Sequence, residues 1–434
     1  MAGKPEKEVS GSASPAVVFE NAMLFDGTTP KVFDGMFVRV ADGEITAVSS
    51  QPLPTEGAER VDCTGKTLMP GLIDAHVHIY FDSLNITPPG PPITYRAQYA
   101  QKFLRHALSC GFTSVRDVAG GDHGMAMALR AGFFDGPRLF YGGLCLTQTG
   151  GHADPRGPNH PTEPGSCGAE RDAFAVRADG VDECIKATRE ELRKGANHIK
   201  IMGSGGVLSQ SDPVDRCQYS EAEIRAIVAE CRRWGSYVCA HCHPAEAIRR
   251  CVEYGVRSIE HGTLIDADTA AFVAEQRAYV VPTFAVMFAF KDDGRELGLS
   301  EASYNKMLQI EGRAMEGMAI MKRAGVKMGF GTDLLGPHHT RECTEFTIRR
   351  QMLSSFDILH SATAVNAEIL QMQGKLGVVK AGALADLLVV DGNPLENIEL
   401  LAASGKHLTH IMTAGHFVKR PASETIRTRG AFHD

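Results

Sequence analysis

An α/β fold is what this sequence predicts: a (β/α)8 TIM-like barrel over residues 74–375, with a small β-sandwich domain built from both chain ends, 16–73 and 376–421. Three observations point there. Through the middle of the chain, short apolar runs alternate with longer amphipathic ones. Both flanks carry short alternating runs broken by Asp-Gly and Gly turns instead. Histidines, a lysine and an aspartate recur in or at the carboxyl ends of the apolar runs, where a barrel gathers its site. At 434 residues the chain exceeds one ordinary core, so a large domain with a smaller companion fits its size.

Taken in order, residues 1–15 are polar, lack the apolar centre of a signal peptide, and read as a disordered tail on a cytoplasmic protein. The runs AVVFENAMLFDG, GMFVRVADGEITAVSS and ERVDCTGKTLMP read as hairpin strands. GALADLLVVDGNPLENI and LTHIMTAGHFVKR, near the other end, have the same character. Separately, each group would leave unpaired edges, so the two are expected to share one β-domain. Between them, the eight barrel strands are LIDAHVHI, TSVRDV, RLFYGG, HIKIMGS, YVCAHCH, SIEHGT, YVVPTF and KMGFGTD. Amphipathic runs such as DECIKATREELRKGAN, SEAEIRAIVAECRRWG, AEAIRRCVEYG and YNKMLQIEGRAMEGMAIMKRAG supply helices, most stopping at Gly. After strand three, residues 146–174 are Gly- and Pro-rich and far longer than an ordinary connection, which marks a functional or disordered loop.

Composition narrows the function. A hydrophobic share of 43%, a charged share of 22% and a net charge of -7 suit a soluble enzyme and leave no basic footprint for nucleic acid. No apolar stretch approaches the roughly 20 residues that cross a bilayer, so no membrane partner is expected. The 11 cysteines lack regular spacing and read as free buried thiols, and Cys239-x-x-Cys242 lies in a strand, unlike a redox pair.

On strand one, His76 and His78 are i and i+2 and point the same way, close enough to grip one ion. Lys200 lies in strand four, His241 ends strand five, His261 strand six and Asp333 strand eight. Barrel topology brings all six to one mouth. Imidazoles with a carboxylate suit a borderline-soft divalent ion, zinc first. Lys200 is the odd member, since an ammonium offers no lone pair. A buried lysine loses its proton by desolvation, and the amine can then take up carbon dioxide. The resulting carbamate would be an anionic ligand able to bridge two metals.

The motifs PGLIDAHVHI, GFTSVRDVAG, HIKIMGSGG, AHCH, SIEHGT and GFGTD, with the tail GKLGVVKAGALADLLVVDGNPLENI, occur in the order seen in a known family. The chain resembles the amidohydrolase superfamily, specifically its binuclear-metal members related to Xaa-Pro dipeptidases and imidazolonepropionase, and within them the ochratoxin-hydrolysing group. The likeness runs from about residue 16 to 420. It implies two divalent metal ions, with His76, His78 and Asp333 on one, His241 and His261 on the other, and Lys200 as bridging N6-carboxylysine. It also implies a homo-oligomer, an octamer in such relatives. The strand-five segment His241-Cys242-His243-Pro244 departs from relatives with small residues there. Spacing alone does not choose between the two histidines; His241, deeper in the strand, is taken as the ligand.

Two metals sharing an oxygen bridge produce hydroxide at neutral pH and polarise a carbonyl, the equipment for amide hydrolysis, with Asp333 shuttling the proton. The expected substrate is a small-molecule amide, an N-acyl amino acid or dipeptide with a free C-terminal carboxylate. The specific expectation is ochratoxin A, cleaved to ochratoxin alpha and phenylalanine. Alternatives are an Xaa-Pro or other dipeptidase, a cyclic-amide hydrolase or a deaminase on the same barrel; the complete ligand set argues against a non-catalytic scaffold. Candidates for the substrate carboxylate are His152, Tyr219 and His243, the resemblance placing the GGH and Q-aromatic-S positions at substrate. Phe284, Phe288 and Leu334 could cover an apolar acyl group, with ordinary core as the competing reading. Arg116 and Asp117 read as a structural pair, Gly203–Gly206 as room beside the metals, and His338 and His339 as solvated loop residues.

Overall fold

The computed structural model describes residues 15–84, 90–156, 174–209 and 212–421. All but the last residue of the expected tail, and residues 157–173 of the long loop, lie outside the described residues. The chain opens with β1 (Ala16–Leu24), β2 (Phe33–Ala41), β3 (Glu44–Ser49), β4 (Ala58–Asp62) and β5 (Lys66–Pro70). Ten strands follow: β6 (Leu72–Val77), β7 (Phe112–Asp117), β8 (Arg138–Tyr141), β9 (Cys145–Thr147), β10 (Ala175–Arg177), β11 (Ile199–Met202), β12 (Val238–Pro244), β13 (Ser258–Leu264), β14 (Tyr279–Val281) and β15 (Lys327–Met328). The last three are β16 (Leu387–Asp391), β17 (Leu408–Thr413) and β18 (His416–Lys419).

The two ends of the chain do pair. Their sheet runs β18-β17-β16-β5-β1-β2-β3, with β4 beside β1. The junction between early and late segments is antiparallel, Val389 opposite Leu68 and Leu387 opposite Pro70. Alternate residues such as Val17, Phe19, Leu68, Leu387 and Val389 share one buried apolar cluster, as a period of two demands. Hydrogen bonding joins all eight strands, with β4 and β5 pairing with successive stretches of β1.

The other strands form two parallel sheets, β6-β7-β8 and β10-β9-β11-β12-β13-β14-β15. The longer strands are buried on both faces, as the continuous apolar runs require: every residue of β6, β7 and β11 is buried. Backbone hydrogen bonds cross both seams. Asn197 N–H donates to Tyr141 O at 2.8 Å on one side, and Ala75 N–H to Phe330 O and Asp333 N–H to His76 O at 2.9 Å each on the other. Strand eight is therefore shorter as a ladder than KMGFGTD suggested, with Gly329 bonded to Val280 of β14 and residues 330–333 held to β6 by isolated bonds. Glycine permits that approach, since a Cβ on Gly331 would lie 2.7 Å from His76 Cβ. The proline-glycine step that hands β5 to β6 has the same cause: a Cβ on Gly71 would meet Thr113 Oγ1 at 2.0 Å. Strands β9 and β10 are additions flanking the long loop and pair in parallel, Cys145 opposite Ala175.

Helices cover the outer faces. Glu221–Arg233 begins with a capping box between Ser220 and Glu223 and buries Ile224, Ile227, Val228 and Cys231 along one stripe. The segment TFAVMFAF becomes helix Phe284–Asp293, most of it buried in the main apolar cluster. No described cysteine is in a disulfide. Among the described residues no helix is long and apolar enough to cross a membrane.

Candidate metal centre

Alternation along β6 points His76 and His78 to the same side, and the turn after β15 brings Asp333 against them. Asp333 Oδ1 lies 3.3 Å from Nε2 of each histidine. Ligand atoms from these three residues fall within 4.8 Å of one another. The other Asp333 oxygen is 3.8 Å from His261 Nδ1, so one carboxylate faces both halves of the cluster. His261 stands 5.0 Å from His76 and 4.5 Å from His241, ring centre to ring centre. His243 closes the group at 4.7 Å from His241 and 5.1 Å from His261. His261 and Asp333 both have positive φ, 73° and 55°, conformations that non-glycine residues adopt at a cost and that cluster at working sites.

Partners fix which nitrogen carries each lone pair. His76 Nδ1 is 2.8 Å from Glu260 Oε2, and a carboxylate only accepts, so Nδ1 donates and Nε2 is left bare. Nε2 of His76 is buried without a hydrogen-bond partner. His78 Nδ1 likewise donates to the Ala119 carbonyl at 3.2 Å. In His241 it is Nε2 that donates, to Gly205 O at 3.2 Å, leaving Nδ1 as donor to an ion. His261 and His243 are held through Nδ1 by Thr283 Oγ1 at 2.8 Å and Thr263 Oγ1 at 3.1 Å.

Charge follows from burial. Desolvation holds His241 and His261 well below the usual imidazole range and His243 down at about 3, so all three are neutral near pH 7. Burial also pulls Asp333 upward, but His76, His78 and His261 beside it win and hold its carboxyl well below the usual carboxylate range. Lys200 is buried on β11, one strand from the His241 strand. Among the described residues no carboxylate lies within ion-pair distance of its ammonium, which disfavours the simple paired-lysine reading. Converging bare nitrogens and an ionised aspartate are a donor set that fits divalent cations.

Five of the expected ligands, His76, His78, His241, His261 and Asp333, stand together, with His243 and His152 beside them, and Lys200 lies on the strand next to that of His241. His152 stacks on His241 at 4.3 Å, its Nδ1 bonding Ser209 Oγ at 2.9 Å. Gly206 makes that space, because a Cβ there would sit 2.2 Å from the His152 ring. The glycine run therefore makes room, as expected, chiefly for His152 and for the 212–213 turn. Tyr219 is different. It joins the apolar cluster of Leu146, Cys184 and Ile224, with a buried, unpartnered hydroxyl. Leu334 and Phe284 are buried in the main core, which favours the ordinary-core reading for them; Phe288 is half-buried against it.

Two further expectations differ from the structure. His338 and His339 are buried, not solvated: His338 Nε2 bonds Asp293 at 2.6 Å and His339 stacks on Phe103 at 4.1 Å. Arg116 does not pair with Asp117. Its guanidinium donates to both Glu260 oxygens at 2.8 Å, while Asp117 accepts from the backbone of Ile79 and Gly121. Neighbours on one strand face opposite ways, so Arg116 and Asp117 could not share a partner.

Sequence reasoning missed Glu260, the residue that orients His76, although it stands next to His261 in SIEHGT. A lone glutamate in an apolar strand was the available signal. It also missed Phe81 and Phe174, stacked at 3.7 Å, with Phe81 5.0 Å from the His78 ring.

The Amidohydrolase family profile matches residues 67–418. The ochratoxinase of Aspergillus niger is 31% identical over 371 residues, covering 82% of this chain and 76% of that protein. A crystal structure described as an amidohydrolase superposes with a TM-score of 0.91 at 45% identity, covering 94% of this chain and 100% of that one. A prolidase complexed with N-methylphosphonate-L-proline gives a TM-score of 0.90 at 42% identity, again over 94% and 100%.

Proposed function

This chain belongs to the amidohydrolase family and is a hydrolase, and from that premise we propose that it cleaves the amide bond of N-acyl amino acids or dipeptides bearing a free C-terminal carboxylate. One observation carries the reading: His76, His78 and Asp333 converge within 4.8 Å beside the His241–His261 pair and a buried Lys200. In the proposed assignment His76, His78 and Asp333 would hold one divalent ion and His241 and His261 the other, with Lys200, as its carbamate, a further ligand. Such ions supply Lewis-acid activation of water and polarisation of the amide carbonyl.

The chain's own residues do the rest. Asp333, ionised and reaching both halves of the cluster, takes the proton of the attacking water and passes it to the amide nitrogen as the amine departs. Glu260 keeps His76 in the tautomer that presents Nε2. His152 and His243 stand beside the cluster, placed to hydrogen-bond a substrate carboxylate. The Phe81–Phe174 stack offers a flat apolar wall for an aromatic acyl group. The parallel sheets are read as one closed (β/α)8 barrel over 74–375, the strands of 16–73 and 376–421 as the small β-domain, and the assembly as a homo-oligomer.

Ochratoxin A is the specific substrate proposed from the Aspergillus niger relative. A second reading, Xaa-Pro dipeptide hydrolysis, is favoured by the prolidase, which is more similar in sequence and was solved with a proline derivative. Parallel kcat/KM measurements on ochratoxin A, N-acyl-phenylalanines and Xaa-Pro dipeptides decide between them. Masking the substrate carboxylate as a methyl ester should lower kcat/KM about tenfold or more, the value of one charge-assisted hydrogen bond. Equal rates on masked and free substrates would reject carboxylate anchoring.

A further inference from the structure

Away from that centre, a second set of donors meets where helix Ile93–Ser109 ends. His106 and Cys110 are i and i+4, so they share a face at the C-terminus of that helix. The turn between the short helices Gly336–Arg341 and Thr344–Arg350 sets Glu342 and Cys343 against them. Donor atoms of His106, Cys110 and Glu342 all fall within 4.8 Å of one another. His106 Nε2 to Cys110 Sγ is 3.6 Å. Two ligands on one tetrahedral zinc, at about 2.3 Å for sulfur and about 2.05 Å for nitrogen, are separated by about 3.6 Å. The Cys343 thiol lies beside that of Cys110, and the two are not bridged.

Glu342 supplies the independent observation. Its side chain is fully buried and neither carboxylate oxygen has a hydrogen-bond partner. Among the described residues no Lys or Arg lies within ion-pair distance of it, and the group it faces inward is another carboxyl, Asp74. Burial beside Asp74 favours the protonated form of Glu342, and a bound divalent ion would supply the counter-charge that its ionised form lacks.

We propose that His106, Cys110 and Glu342, with Cys343 alongside, form a second metal site that takes one borderline-soft divalent cation of the zinc type. Thiolate, imidazole and carboxylate together suit such an ion better than magnesium or calcium. Cys110 and Glu342 would enter as anions, their protons leaving to solvent as the ion binds. The ion would tie the end of helix Ile93–Ser109 to the 342–343 turn, a structural role distinct from hydrolysis.

Cobalt(II) tests this, because the hydrolytic centre has nitrogen and oxygen donors only. The full-length protein, stripped of metal and titrated with cobalt(II), should bind three equivalents and develop a near-ultraviolet thiolate-to-cobalt charge-transfer band. Cys110→Ser should lose that band and one equivalent while keeping wild-type amide hydrolysis. Glu342→Gln should keep the thiol and bind the third equivalent at least about tenfold more weakly, which decides the matter if the serine variant does not fold. A folded wild type that saturates at two equivalents without the band overturns the proposal. So does a band that persists in Cys110→Ser, or an unchanged third affinity in Glu342→Gln.

Discussion

Glutamine at position 260 should weaken ion binding and the fold together, through one set of contacts. Glu260 accepts two 2.8 Å bonds from Arg116 Nη2 and one 2.8 Å bond from His76 Nδ1, and all three side chains are almost completely buried. Burial opposes its charge, yet Arg116 and His76 hold its carboxyl well below the usual range. Glu260→Gln keeps the shape but leaves the guanidinium without its counter-charge, and the new amide N–H₂ must face one of two donors. Breaking a buried pair from one side costs about 3–5 kcal/mol. The retained carbonyl oxygen puts this variant at the lower end, about 3 kcal/mol. Loss of the orienting carboxylate costs about 10–100-fold in metal affinity. Urea unfolding of metal-free protein reads the first quantity and chelator competition on folded protein the second. An unfolding midpoint and a metal affinity both equal to wild type would refute the reasoning that Glu260 sets His76.

Further outcomes follow from the same contacts. Lys200→Ala should lose most bound metal at the hydrolytic centre and most activity, with partial recovery in short-chain carboxylic acids; full unaided activity would remove the carbamate. Asp333→Asn should stay folded and lose about 10²–10⁴-fold or more in turnover, checked at verified metal content. Stability from Asp333 and Glu260 has a definite pH sign, since both carboxyls are held below their unfolded values. That stability is present above about pH 4 and fades as pH falls through the folded values. Acid titration of metal-free Glu260→Gln should accordingly show a shallower loss of stability below about pH 4 than wild type.

Most of this site was legible because its residues occupy strand ends, where a period of two fixes direction. His76 with His78, and the single histidine of SIEHGT, could be placed without coordinates. The companion of each ligand was harder to see. Glu260 and Arg116 act across strands, and sequence adjacency wrongly offered Asp117 as the partner for Arg116. Loop residues were least legible: His338 and His339 looked polar and therefore solvated, yet stacking on Phe103 and a bond to Asp293 bury them. Tyr219 shows a related difficulty. Its φ of 58° turns the chain just after Gln218, and the ring goes to the helix-facing layer. The shared sheet of the two chain ends was foreseeable from unpaired edges, but its continuity depends on β16 entering beside β5.

The central claim is that a metal-loaded cluster at the ends of β6, β12 and β13 and beside Asp333 hydrolyses amides of amino acids. Amine release from an N-acyl-phenylalanine, followed as metal-free protein is reloaded with zinc, tests it most directly. The account predicts no cleavage without metal, and on reloading equimolar release of phenylalanine and the acyl acid. Undiminished cleavage by the metal-free protein, or no amide cleavage by the fully loaded enzyme on any substrate with a free C-terminal carboxylate, would contradict it.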